Sequence, residues 1–232
     1  MAERRENRRA LTLLAQVDGA LFREAACWFA GGTAVSLRCG EFRVSRDVDF
    51  LCASREGYRL LRERARTGGG RGLFSGAVSI VREPRVDRYG IRMAVEVDGE
   101  PLKFEIVSEG RIALDGFDDP SLPVARLCDV DLVAEKLLAN DDRYLDDSAL
   151  GRDLVDLLVL ERHLGALPEA ALAKAQEAYG PSVLRAHAGA LRRFRDRPDL
   201  LARSLEALSV LPSERAYVTA RITALAPDDG SP

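Results

Sequence analysis

The chain of 232 residues is 47% apolar and carries a formal net charge of −3, with 34 basic against 37 acidic side chains. That length supports one large domain or two small ones with a full core, and the charge balance excludes a general basic field for nucleic acid, so any RNA or DNA contact must use a local patch. No apolar run approaches the ~18 residues of a membrane span and no signal-peptide core opens the chain, so a cytoplasmic protein with no membrane partner is expected.

From Arg4 to Arg23, the residues Leu11, Leu14, Val17 and Leu21 recur at three and four, which predicts one amphipathic helix. "ACWFA" (26–30) reads as a buried strand that ends in Gly31-Gly32, and "TAVSLRC" then forms about two helical turns. The strand "DVDFL" and a helix over 56–66 follow, and "TGGGRG" (67–72) reads as a surface loop. Three strand-like runs come next, "LFSGAVSIV", "IRMAVEV" and "LKFEIV", and Asp98-Gly99 between the last two is a hairpin signal. Beyond Pro120 and Pro123 the pattern is helical, with helix starts at Pro168, Pro181, Pro198 and Pro212 and fraying after Ala226. The class is α+β: a mixed sheet with helices to about residue 125, then a helical bundle.

Basic residues cluster in "RRENRR" and in "RAHAGALRRFRDR", where a solvated helix face is the simplest reading. Cys27, Cys39, Cys52 and Cys128 form no CxxC pair, so neither a disulfide nor a zinc site is expected. His163 and His187 lack a partner motif and read as surface or packing residues.

The chemistry concentrates in "RVSRDVDF". Residues i and i+2 of a strand face the same way, so Asp47 and Asp49 project together while Val48 and Phe50 enter the core. Two carboxylates this close raise one pKa unless positive charge sits between them. Arg43, Arg46 or Lys103 could supply it, and so could a divalent cation, because hard carboxylate oxygens suit Mg²⁺. Nearby, the Gly31-Gly32 turn opens a short helix whose backbone N–H groups suit a phosphate. Glu105 in "KFEI" leaves its strand between Phe104 and Ile106 as a third carboxylate, and Glu96 in "VEV" is a rival with the same pattern.

Gly-Gly-Thr, thirteen residues, Asp-Val-Asp-Phe and then Lys-Phe-Glu-Ile resembles the polymerase-beta-like nucleotidyltransferase superfamily. Within it, "FAGGTAVSLRCGEFRVSRDVDFL" and "DVDLVAEKLLANDDR…GRDLVDLLVLER" resemble the AbiEii/AbiGii toxin-type nucleotidyltransferases over roughly residues 25–165. The last seventy residues match only as helical. The resemblance implies a nucleotidyltransferase catalytic domain over residues 1–125 and a C-terminal helical domain over 126–232. It also implies transfer of a nucleoside monophosphate from an NTP, ATP among them, with two Mg²⁺ ions. Asp47, Asp49 and Glu105 would be catalytic and hold the metals. Gly31, Gly32, Thr33 and Ser45 would hold the triphosphate, with Lys136, Arg152 and Asp153 completing the nucleotide site.

Asp156, one turn after Asp153, reads equally as solvated surface, and Lys136 is beside the buried stripe of Leu132, Val133, Leu137 and Leu138, with its ammonium carried to a cleft edge. Some members of the family carry a basic residue where this chain has Leu150, which leaves Lys103 or Arg143 to make the second cationic contact. The implied acceptor is RNA, a tRNA 3′ end in particular, and the implied setting is a toxin–antitoxin or phage-defence pair with a separately encoded antitoxin. A small-molecule or protein acceptor, or an inert binding module, are the alternatives.

Overall fold

The computed structural model describes residues 4–224, and the fraying expected after Ala226 lies outside them. The chain divides between Leu132 and Val133 into two compact units.

The first unit is built on a seven-stranded mixed sheet in the order β3-β4-β5-β2-β1-β7-β6. Its strands are β1 (Cys27–Ala30), β2 (Asp47–Cys52), β3 (Ser79–Val86), β4 (Gly90–Val97), β5 (Glu100–Ser108), β6 (Gly116–Phe117) and β7 (Arg126–Leu127). β2 runs antiparallel to β1 and parallel to β5, and β4 joins β5 as the expected hairpin. Asp98 and Gly99 both take positive φ, the requirement of a two-residue hairpin turn. One face of the sheet carries Phe29, Phe50 and Phe104, all fully buried. Phe22 meets Phe50 edge-on at 4.6 Å, and Phe74 lies 5.2 Å from Phe104. That aromatic layer explains the alternation of β2: Val48 and Phe50 anchor the strand, which leaves Asp47 and Asp49 on the opposite face.

Two expectations are corrected here. The single helix over 4–23 is two, α1 (Arg5–Leu14) and α2 (Gly19–Glu24). The chain breaks between them because Val17 pairs with Phe74 and the Asp18 side chain caps α2 by accepting from the Leu21 N–H. The strand expected to begin in "LFSGA" instead starts at Ser79 and runs through Arg82 and Pro84. Proline survives there because β3 is an edge strand and its register with β4 is irregular. The helices α3 (Gly31–Arg38) and α4 (Arg55–Thr67) match their expected positions. β6 and β7 have no sequence signal.

The second unit takes most of α5 (Asp129–Arg143), then α6 (Arg152–Leu164), α7 (Glu169–Tyr179), α8 (Ser182–Asp196), α9 (Pro198–Ala207) and α10 (Pro212–Thr223). Residues 153–160 of α6 are buried on every side, which makes it the central helix, packed against α8 and α10. The four prolines stand at the starts of α7 to α10 as expected. Among the described residues no helix is long and apolar enough to cross a membrane.

Candidate active site

The register of the sheet assembles the site in the first unit. Asp49 pairs with Glu105 and Asp47 with Lys103 across the parallel strands β2 and β5. Across the β4–β5 hairpin, Arg92 pairs with Glu105. Paired residues share a face, so Asp49, Glu105 and Arg92 form one row and Asp47 and Lys103 begin the next. Glu96 stands opposite Pro101 and is exposed.

The charges interlock. Glu105 is held by Arg92 Nε at 2.6 Å and by Lys103 Nζ at 2.7 Å. Lys103 Nζ also lies 3.9 Å from Asp47 Oδ2. Burial pulls the Lys103 pKa down, but its bond to Glu105 and the charges of Asp47 and Asp49 outweigh that and raise it. The lysine therefore stays charged at neutral pH, and its ammonium sits between two carboxylates. That cation shows that the space between Asp47 and Glu105 accommodates positive charge. Among the described residues no three His, Cys, Asp or Glu side chains converge as a ready metal cage. The donor set itself is hard carboxylate oxygen, which suits Mg²⁺.

The glycine turn sits against these carboxylates. Gly31 follows Ala30, the β1 partner of Asp49, and has φ +74°. A Cβ at Gly31 would overlap Asp49 Oδ2, and one at Gly32 would overlap the Arg43 guanidinium and reach 3.0 Å from Ser45 Oγ. Only glycine permits this approach. The N-cap residue of α3, Ala30, makes no side-chain cap, and the first-turn N–H groups carry the anion-binding character of a helix start. Thr33 is fully buried and its hydroxyl donates to the Asp47 carbonyl, which ties α3 to the carboxylate strand. Arg43, itself buried, donates from Nη1 to the Val44 carbonyl at 2.9 Å and brings positive charge under the turn. Gly31, Gly32, Ser45, Asp47, Asp49 and Glu105 are thus gathered on one side of the sheet, with Thr33 beneath.

Lys136, Arg152 and Asp153 belong to the second unit. Lys136 does not reach a cleft edge as expected: it is buried, with Nζ 3.2 Å from Asp153 Oδ1 and 2.6 Å from Asp156 Oδ2. Two buried carboxylates attract the ammonium more than solvent does. Asp156 is fully buried rather than solvated. Arg143 forks onto Asp153 at 2.6 and 2.9 Å. Burial pushes the Asp153 carboxyl up, but Lys136 and Arg143 prevail and hold it well below the usual carboxylate range. Arg152, half-buried, opens α6 after Leu150 and Gly151, which both have positive φ.

Arg92 was not among the expected site residues, although counting outward from the Asp98-Gly99 turn places it opposite Glu105. Sequence reading offers Arg43 only as a possible salt-bridge partner, and its place beneath Gly32 has no signal in spacing.

Comparison with known proteins bears on this arrangement. No curated protein matches the chain. An antigenic nucleotidyltransferase-like protein from Paracoccidioides brasiliensis has a similar structure, with 15% identity, a TM-score of 0.49, and coverage of 86% of this chain and 93% of that one. JHP933 from Helicobacter pylori is similar at 16% identity and a TM-score of 0.49, over 94% of this chain and 88% of that one. Both scores are too low to carry an assignment. The model of the nucleotidyl transferase AbiEii toxin of type IV toxin–antitoxin systems matches residues 12–228, nearly the whole chain. With the glycine turn and the carboxylate rows contained in that match, the chain belongs to the AbiEii nucleotidyltransferase toxin family.

Proposed function

We propose that the protein is a metal-dependent nucleotidyltransferase that moves a nucleoside monophosphate from an NTP to an acceptor hydroxyl on RNA, a tRNA 3′ end in particular. In this reading it is the toxin of a pair whose antitoxin is separately encoded. The observation that carries the reading is the placement of Asp47, Asp49 and Glu105 on one sheet face against a glycine turn with no room for a side chain.

Each residue then has a task. The first-turn amides of α3, with Gly31 and Gly32 leaving space, receive the triphosphate, and Ser45 and Arg43 line the same side. Thr33 holds β2 at the height that aims Asp47 and Asp49. Asp47, Asp49 and Glu105 would be the oxygen donors for Mg²⁺, and Lys103 holds positive charge between Asp47 and Glu105. Mg²⁺ bound there would stabilise charge on the attacking and leaving oxygens. The acceptor hydroxyl gives up its proton to water and its oxygen bonds to the α-phosphorus as the α–β phosphoanhydride breaks, and pyrophosphate leaves. Most of the acceleration comes from positioning and charge neutralisation.

The test is incubation of the protein with each α-labelled NTP, Mg²⁺ and total RNA, followed by separation of the products. Label on RNA supports the reading. Label only on protein or on small molecules would move the acceptor to those classes.

A further inference from the structure

The two rows that start at the carboxylates do not stop at β4. Arg85 on β3 pairs with Arg92, and Arg82 pairs with Ala94, the neighbour of Lys103. One row therefore reads Asp49, Glu105, Arg92, Arg85 and the next reads Asp47, Lys103, Ala94, Arg82. Arg82 and Arg85 are three apart in sequence and would face opposite ways on a regular strand. Register shifts between Ile80 and Arg82 and between Arg82 and Arg85 turn both onto the carboxylate face. Bulges of this kind re-aim side chains and are over-represented near active sites.

Both arginines are exposed, Arg85 with 84% of its side chain accessible. At the β3–β4 turn, Tyr89 is 57% exposed and the Arg88 guanidinium lies 4.5 Å from its ring centroid. The segment 81–92 holds four arginines against Glu83 and Asp87, in a chain whose net charge is −3. Asp87 partly neutralises the ribbon, with Oδ2 3.4 Å from Arg92 Nη1 and 3.9 Å from Arg85 Nε. In the other basic clusters, Arg9 donates to the carbonyls of Val97, Glu100 and Pro101, and Arg193 to that of Tyr144.

We infer that the β3–β4 ribbon binds the single-stranded 3′ segment of the acceptor RNA, with Arg82 and Arg85 on its phosphates and Tyr89 stacked on a base, and leads its terminal hydroxyl to the carboxylates. This rests on the transferase reading above. Three interstrand steps of about 4.8 Å put Arg85 roughly 14 Å from Asp49, and at about 3.4 Å per stacked nucleotide that spans about four nucleotides. An exposed aromatic beside basic side chains is the usual platform for an unpaired base. An acidic protein would find the same charges, but it has no hydroxyl terminus to deliver at the end of the row.

The test needs no turnover, so it stands apart from the transferase reading. Titrate the protein into a fluorescein-labelled eight-nucleotide single-stranded RNA without NTP, at several salt concentrations, and follow anisotropy. The double variant Arg82→Glu/Arg85→Glu should bind at least tenfold more weakly, with a log–log salt slope shallower by about 1.4 for two lost phosphate contacts. Tyr89→Ala should lose at least about fivefold. Arg82→Lys/Arg85→Lys should keep most of the affinity, and all variants should bind Mg²⁺–NTP as wild type does by calorimetry. RNA binding and salt slope unchanged in the double reversal would overturn the inference. So would a loss of affinity for polyglutamate equal to that for RNA, which would assign the ribbon to an acidic protein partner.

Discussion

Asp49 and Glu105 stand directly opposite each other on adjacent parallel strands, and Arg92 occupies the next position of the same row. Neighbouring strands are only about 4.8 Å apart, so these carboxylates repel unless cations hold them. Arg92 and Lys103 do so from the hairpin side. The pairing distinguishes Glu105 from Glu96, which stands opposite Pro101. Glu105→Gln should lower transfer by at least about 100-fold, in line with weakening the hold on an ion that would stabilise the reacting oxygens. Glu96→Gln should stay within a few-fold of wild type. Steady-state turnover of the two variants decides, and the reverse order would place the third carboxylate on β4.

Gly31→Ala should damage activity more than stability. The new methyl overlaps Asp49 Oδ2, so the carboxylate must move, while the positive φ costs about 1–2 kcal/mol. Gly40→Ala is the control: Gly40 has φ +69° and nothing within 4 Å of the added Cβ. Gly40→Ala should lose only the cost of its positive φ in urea, Gly31→Ala that cost plus the displacement of Asp49, and only Gly31→Ala should lose at least tenfold in transfer. Equal activity in the two would mean that the close approach to Asp49 is without consequence.

In the second unit, Lys136→Ala should act first on folding. It removes the ammonium that Asp153 and Asp156, both buried, face, at a cost of about 3–5 kcal/mol for breaking a buried pair. Lys136→Ala/Asp156→Asn should recover part of that loss in urea unfolding. A variant of normal stability with weakened NTP affinity would instead return Lys136 to the nucleotide.

The depressed pKa of Asp153 sets a pH dependence. Its folded value lies below the ~3.9 of an unfolded aspartate. The stability it contributes is therefore complete above about pH 4 and is lost as pH falls through the folded value. Between pH 5 and pH 3, wild type should lose more stability in urea than Asp153→Asn. Parallel losses would show that other carboxylates govern the acid limb.

Much of this is legible in the sequence. The alternation of "DVDF" placed both aspartates on one face because a buried aromatic layer demands it, and Asp98-Gly99 specified the hairpin. The register that follows from that turn also contains the Arg92–Glu105 pair. The break at Val17 was hidden because Phe74, its partner, is far away in sequence. β3 was misplaced because "REPRV" lacks strand-like composition and owes its conformation to pairing at a sheet edge. Three residues apart, Arg82 and Arg85 would face opposite ways on a regular strand, and only the bulged register shows that they share a face. Lys136 resembles a surface lysine until α6 brings Asp153 and Asp156 against it.

The most direct test of the central claim compares wild type with Asp47→Ala and Asp49→Ala in Mg²⁺-dependent transfer of α-labelled NMP to RNA. Both substitutions relieve a charge pair without removing a core residue, so circular dichroism and melting should be unchanged. If the carboxylate face is the catalytic centre, wild type labels RNA and each variant loses more than about 10³-fold. Near-normal labelling by either folded variant would contradict it.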